Sequence, residues 1–199
     1  MAPFYFTPHD LHAKINRNKE KIMTLREKAF LVAITAHSAV GQKRKYSGEP
    51  YIVHPVEVAE IVESVEHTPE MVAAALLHDV VEDTAVSIEM IQSLFGSTVA
   101  HLVGWLTDVS KKSDGNRAKR KAMDRAHTHE APAQAQTIKL ADLISNTSDI
   151  TKADPNFAVV YMKEKRQLLE GMDKADEKLL QRAWGLVIDW ENRDRTGKE

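Results

Sequence analysis

The chain has 199 residues, 43% of them hydrophobic and 28% charged, with 27 Lys and Arg against 29 Asp and Glu. That length fits one domain with a sizeable core, and a net charge of −2 leaves no basic excess to suggest a DNA or RNA partner. With no cysteine, a disulfide framework and a thiolate metal site are both excluded, so any metal must be held by His, Asp or Glu.

No run of about 18 apolar residues marks a membrane span. Met1 to Asp10 carry no apolar signal-peptide stretch, and the expected location is the cytoplasm. The first helical signal covers 22–40, where Ile22, Leu25, Ala29, Val32, Ala33, Ala36 and Val40 recur at helical spacing and Gly41 supplies the stop. Residues 42–53 (QKRKYSGEPYIV) mix basic residues with Gly and Pro and read as a loop. A second helix is predicted from His54-Pro55, with Pro at its first position and a stripe of Val58, Ile61, Val62 and Val65. Residues 69–84 (PEMVAAALLHDVVEDT) are apolar nearly all round as far as His78, the pattern of a central, buried helix.

Ser87 is placed to cap a short helix that Gly96 ends, and Ser97 to cap the next, with Val99, Leu102, Val103 and Leu106 inward. A polar, basic stretch (108–121) leads into a charged helix. Pro132 stands near the start of a helix holding Ile138, Leu140, Ala141 and Ile144, and Pro155 precedes another that runs to about Gly171. The last helix carries Leu179, Leu180, Ala183, Trp184, Val187 and Ile188. Strand-like alternation is nearly absent. The expectation is an all-α single domain, 1–199, with its core over about 22–190 and about eight to ten helices.

LLHDVVEDT (76–84) carries the strongest chemical signal. The spacing puts Asp79, Glu82 and Asp83 on one face of a helix C-terminus. Three carboxylates there repel one another and oppose the helix dipole. A divalent cation would relieve that conflict, with His78 as an imidazole ligand; a solvated acidic turn is the bland alternative. Further ligands are sought at His54, which could equally cap its helix, and at Asp142, which shares a face with Asn146 in KLADLISN. His54, His78, Asp79 and Asp142 together form a mixed N/O set suited to Mn²⁺, Fe²⁺ or Zn²⁺. Glu82 or Asp83, not needed as ligands, would orient or deprotonate a water. Lys43, Arg44 and Lys45 lie shortly before His54 and suit a polyphosphate anion, Arg by stacking on a base and Lys by neutralising phosphate. A second basic run, Lys111 to Lys121, reads either as a far wall of that pocket or as a solvated helix.

RKYSGEPYIVHP, LLHDVVEDT and KLAD…N, in that order, resemble the hydrolase domain of the RelA/SpoT alarmone enzymes over roughly residues 22–190. The short length looks most like the small alarmone hydrolases of the Mesh1-like group. This resemblance implies an all-α HD fold with one Mn²⁺ per chain held by His54, His78, Asp79 and Asp142, and water-activating carboxylates at Glu82 and Asp83. It implies that Arg44 packs on the nucleobase and that Lys45, Asn146, Tyr161 and Lys165 contact substrate. The implied activity belongs to the stringent response: removal of 3′-pyrophosphate from (p)ppGpp to give GDP or GTP. The chain departs from the family's usual D-R-L-H-N-M-R-T, reading Asp142-Leu143-Ile144-Ser145-Asn146-Thr147-Ser148-Asp149. A basic residue is lost at 143 and an acidic one gained at 149, which brings in (p)ppApp as an alternative substrate. NADPH 2′-phosphatase activity, a nucleoside monophosphate phosphatase and a non-catalytic nucleotide sensor are the competing readings. The expected partner is a small nucleotide, with no membrane and no nucleic acid; oligomeric state is not readable from the sequence.

Overall fold

The computed structural model describes residues 23–196, with side chains described as far as residue 193. The readings of Met1 to Asp10 and Ile22 lie outside the described residues. Helices dominate: α1 (Leu25–Ala39), α2 (Val53–Glu63), α3 (Pro69–Leu77), α4 (Val80–Asp83), α5 (Ile88–Phe95), α6 (Ser97–Leu106), α7 (Arg117–Glu130), α8 (Ala133–Ala153), α9 (Pro155–Leu169) and α10 (Glu177–Thr196). Among the described residues the single β-type pairing is an isolated bridge, Lys43 to Pro50, and no helix is long and apolar enough to cross a membrane.

Local chemistry sets most boundaries. Thr24 caps α1 in a reciprocal box with Glu27: the Glu27 amide donates to Thr24 Oγ1 (3.1 Å) and the Thr24 amide to Glu27 Oε2 (2.9 Å). Gly41, at φ +65°, reverses the chain after α1. Ser87 accepts the Met90 amide at 3.3 Å, and Asp154 caps α9 ahead of Pro155. Three predicted boundaries move. Helix α2 starts at Val53, so Pro55 is its third residue, where the missing N–H is still one the helix would not use. Gly96, at φ +87°, both ends α5 and caps α6, which makes Ser97 the first helical residue and not the cap. The helix predicted over 69–84 ends at Leu77, and Asp79 (φ −100°, ψ −5°) leads into the separate four-residue α4.

Every residue of α3 from Met71 to Leu77 is buried, as its all-round apolar sequence requires. It packs against α1, α2 and α6. The long α8 crosses behind, touching α2, α3, α6, α9 and α10, and joins Ile138, Leu140, Ala141 and Ile144 to the same continuous core. Full burial of a side chain such as Leu76 or Leu77 stabilises by roughly 1.5–3 kcal/mol. The core thus fixes the C-terminus of α3 against the middle of α8 and the start of α2, the three places that carry His78, Asp142 and His54.

Candidate metal centre and adjoining cleft

His54 and His78 are buried, at 1% and 2% exposure. His54 Nδ1 lies 2.9 Å from Ser145 Oγ, whose own hydroxyl donates to Glu57 Oε2 at 2.8 Å. That hydroxyl proton is committed, so Ser145 accepts from His54 Nδ1–H and leaves Nε2 with a bare lone pair. His78 Nδ1 donates to the Ala75 carbonyl at 2.7 Å, which likewise frees its Nε2. His54 Nε2 lies 3.3 Å from Asp142 Oδ1 and 3.8 Å from Asp79 Oδ2. His78 Nε2 lies 2.9 Å from Asp79 Oδ2 and 3.9 Å from Asp142 Oδ1, but it is buried with no properly directed hydrogen bond.

Two imidazole nitrogens and two carboxylates therefore face one another, an arrangement that favours a positive charge between them; of the four predicted ligands, Asp79 lies against His78 but outside the group whose ligand atoms are all mutually close. A ligand atom from each of His54, His78 and Asp142 lies within 4.8 Å of the others, and such an N/O set fits a divalent cation. Burial works to lower the His78 ring, yet the charges of Asp79 and Asp142 outweigh it and raise the ring to about 9. Burial also opposes ionisation of Asp142, but Lys139, 3.0 Å from its Oδ2, and then the two histidines hold that carboxyl well below the usual range. Asp79 is held low in the same way, against burial, by His78. Its Oδ2 also accepts the Tyr51 hydroxyl at 2.5 Å.

The acidic pair differs from the expectation of one shared helical face. Because the helix breaks at His78-Asp79, the three carboxylates address different partners. Asp79 takes Tyr51, Glu82 Oε1 accepts the Asp108 amide at 2.6 Å, and Asp83 Oδ2 accepts Gln42 Nε2 at 2.8 Å. Burial raises the Glu82 carboxyl.

Beside this cluster lies a cleft in two lobes that meet at Asn146. One lobe, about 390 Å³, is lined by Lys139, Asp142, Tyr161, Arg117 and Lys121 among others; the second, about 420 Å³, by Arg44, Lys45, Tyr46, Asp149 and Phe157. Asn146 Nδ2 donates to Asp142 Oδ1 at 2.6 Å, and its Oδ1 accepts from Arg44 at 3.3 Å. Arg44 is clamped from the other side by Asp149 at 2.5 Å, so the acidic departure at 149 acts directly on the predicted base-packing residue. Lys45 lies over the Tyr46 and Phe157 rings. Tyr161 and Lys165 reach the first lobe, but their polar atoms bond inward, to the Leu143 carbonyl and to Thr147 Oγ1 (2.7 Å). Of the second basic run, Arg117 and Lys121 face the cleft, already paired with Glu164 and Asp108.

Sequence reasoning missed Tyr51, Glu57, Ser145 and Lys139. Glu57 and Lys139 stand three residues from predicted ligands on the same helical faces, a signal that was readable. Ser145 also stands three residues from Asp142, but its bond to His54 and that of Tyr51 to Asp79 join residues 91 and 28 positions apart, which no spacing rule pairs.

The HD domain family matches residues 29–170. The guanosine-3′,5′-bis(diphosphate) 3′-pyrophosphohydrolase MESH1 of Danio rerio is 39% identical over 110 residues, which is 54% of this chain and 59% of that protein. The bifunctional (p)ppGpp synthase/hydrolase SpoT of Escherichia coli is 46% identical over 93 residues, 47% of this chain and 13% of SpoT. This chain likewise spans only 17% of a Synechocystis relative that is 38% identical over 131 residues. Among solved structures, a metazoan ortholog of SpoT that hydrolyzes ppGpp superposes with a TM-score of 0.74 at 27% identity, over 84% of this chain and 96% of that one.

Proposed function

Since the chain belongs to the HD domain family, we propose that it is a cytoplasmic, Mn²⁺-dependent alarmone hydrolase that removes 3′-pyrophosphate from (p)ppGpp or (p)ppApp. The products are pyrophosphate and GDP or GTP, or the adenine equivalents. One observation carries the reading: the buried, unbonded Nε2 of His78 facing His54, Asp79 and Asp142. The resemblance to pyrophosphohydrolases such as MESH1 supports the substrate class.

In this reading His54, His78, Asp79 and Asp142 hold one ion. When bound, a divalent ion supplies Lewis acidity toward water and phosphoryl oxygen. The chain's own residues do the rest. Glu82 and Asp83 orient a water and take its proton as its oxygen bonds to the 3′-linked phosphorus. The bond from that phosphorus to the ribose 3′-oxygen breaks, pyrophosphate carries away the water's oxygen, and the 3′-oxygen regains a proton. Asn146 keeps Asp142 in place, while Arg44 and Lys45 hold the nucleotide, and Tyr161 and Lys165 shape the phosphate lobe.

Chromatography of products from a nucleotide panel with Mn²⁺ tests the proposal. Pyrophosphate released from ppGpp or ppApp is the expected result. Orthophosphate as the sole phosphorus product, from NADPH or a nucleoside monophosphate, would replace this reading with a phosphomonoesterase; binding without turnover would leave a sensor.

A further inference from the structure

His37, in the last turn of α1, is 1% exposed, yet among the described residues its only ring hydrogen bond is from Nδ1 to Gln42 Oε1, at 2.6 Å. Its Nε2 is buried with no partner among the described residues. A leucine would fill that space without stranding a polar atom, so the ring's place there calls for an explanation. Gln42 continues the chain of bonds: its Nε2 donates to Asp83 Oδ2 at 2.8 Å. An ionised carboxylate only accepts, so the Gln42 amide must turn its NH₂ to Asp83 and its carbonyl to His37, which must then carry its proton on Nδ1. The backbone makes Gln42 a firm relay. The positive-φ turn at Gly41 folds it back so that its N–H donates to the His37 carbonyl at 3.0 Å, while its carbonyl accepts the Tyr51 amide at 3.3 Å. The Tyr51 ring packs on His37 at 4.7 Å between centroids, and its hydroxyl bonds Asp79.

Asp83 needs such a hold. It is the last residue of a four-residue helix and its surface is exposed, so alone its carboxylate would rotate among several rotamers. We infer that His37 and Gln42 are positioning residues that fix the Asp83 carboxylate for water activation, with His37 setting the amide and the amide setting Asp83. The inference rests on the proposed role of Asp83.

The test measures kcat, KM, bound Mn²⁺ and thermal midpoint for full-length variants acting on ppGpp. Gln42→Met keeps the volume and removes both bonds. Its kcat should fall on the order of 10- to 100-fold, the worth of a hydrogen bond to a charged group, with KM and bound Mn²⁺ unchanged. His37→Leu should lose a similar factor, whereas His37→Asn, whose amide N–H takes the place of Nδ1–H, should recover most of it. Combining Gln42→Met with Asp83→Asn should be no slower than Asp83→Asn alone, because the relay then has nothing to position. A Gln42→Met enzyme as fast as the native one beside an impaired Asp83→Asn would overturn the relay only. So would losses that multiply in the double variant. A fully active Asp83→Asn would remove the role of Asp83 and the relay with it.

Discussion

His78 has committed one ring nitrogen to the Ala75 carbonyl and left the other buried among carboxylates. Removing the ring should therefore remove a bound divalent cation: metal analysis of His78→Ala is expected to show near-complete loss of divalent metal, and full retention would mean that another set of residues binds it. Glu82 should behave in the opposite way. Its carboxyl is raised by burial and held by the Asp108 amide, not by the imidazoles. Glu82→Gln is expected to retain its metal while kcat drops roughly 10²–10⁴-fold, the usual share of general-base catalysis. Arg44→Ala should mainly raise KM, since a side chain with the proposed role of holding the nucleotide would act in both ground and transition states. The residue types of the candidate site were legible in the sequence because His-Asp adjacency and excess carboxylates are chemically conspicuous. Their orientation was not, because Tyr51 meets Asp79 and Ser145 meets His54 only after folding.

Secondary structure was legible wherever a boundary is decided within a few residues. Ser87, Gly41 and Pro155 mark ends that their own side chains or backbones enforce. The break after Leu77 left no such mark, because VVED continues the helical spacing. The spread of the three carboxylates follows from that break. Gly171 shows a constraint of the same hidden kind. A Cβ there would sit 2.3 Å from the ring of His129, whose Nε2 bonds the Leu168 carbonyl at 2.9 Å. Gly171→Ala should force the ring off that carbonyl and destabilise the junction between α9 and α10 by about 1–3 kcal/mol. A lower urea midpoint at unchanged slope is the expected signature.

At the scale of the molecule, the all-α architecture was readable from periodicity, but the burial of Lys165 was not. It is 1% exposed, and burial pushes its ammonium down to about 7 from 10.5. Between those values the unfolded chain holds a proton that the folded chain lacks, so this residue makes stability rise with pH from about 7 upward. Lys165→Met should be the more stable protein near pH 7 and show a flatter urea midpoint between pH 7 and 9; equal slopes would refute the burial argument.

The metal cluster has a consequence of this same scale. His54, His78-Asp79 and Asp142 reach it from α2, the α3–α4 junction and α8, so a bound ion clamps helices drawn from across the fold. Stability then grows with the logarithm of free metal, and chelation should lower the thermal midpoint. In a cell starved of that ion, the protein would open more often and meet proteases more often. Its abundance, and not only its occupancy, would then report the supply of metal, and the protein's lifetime would become a slow memory of that supply.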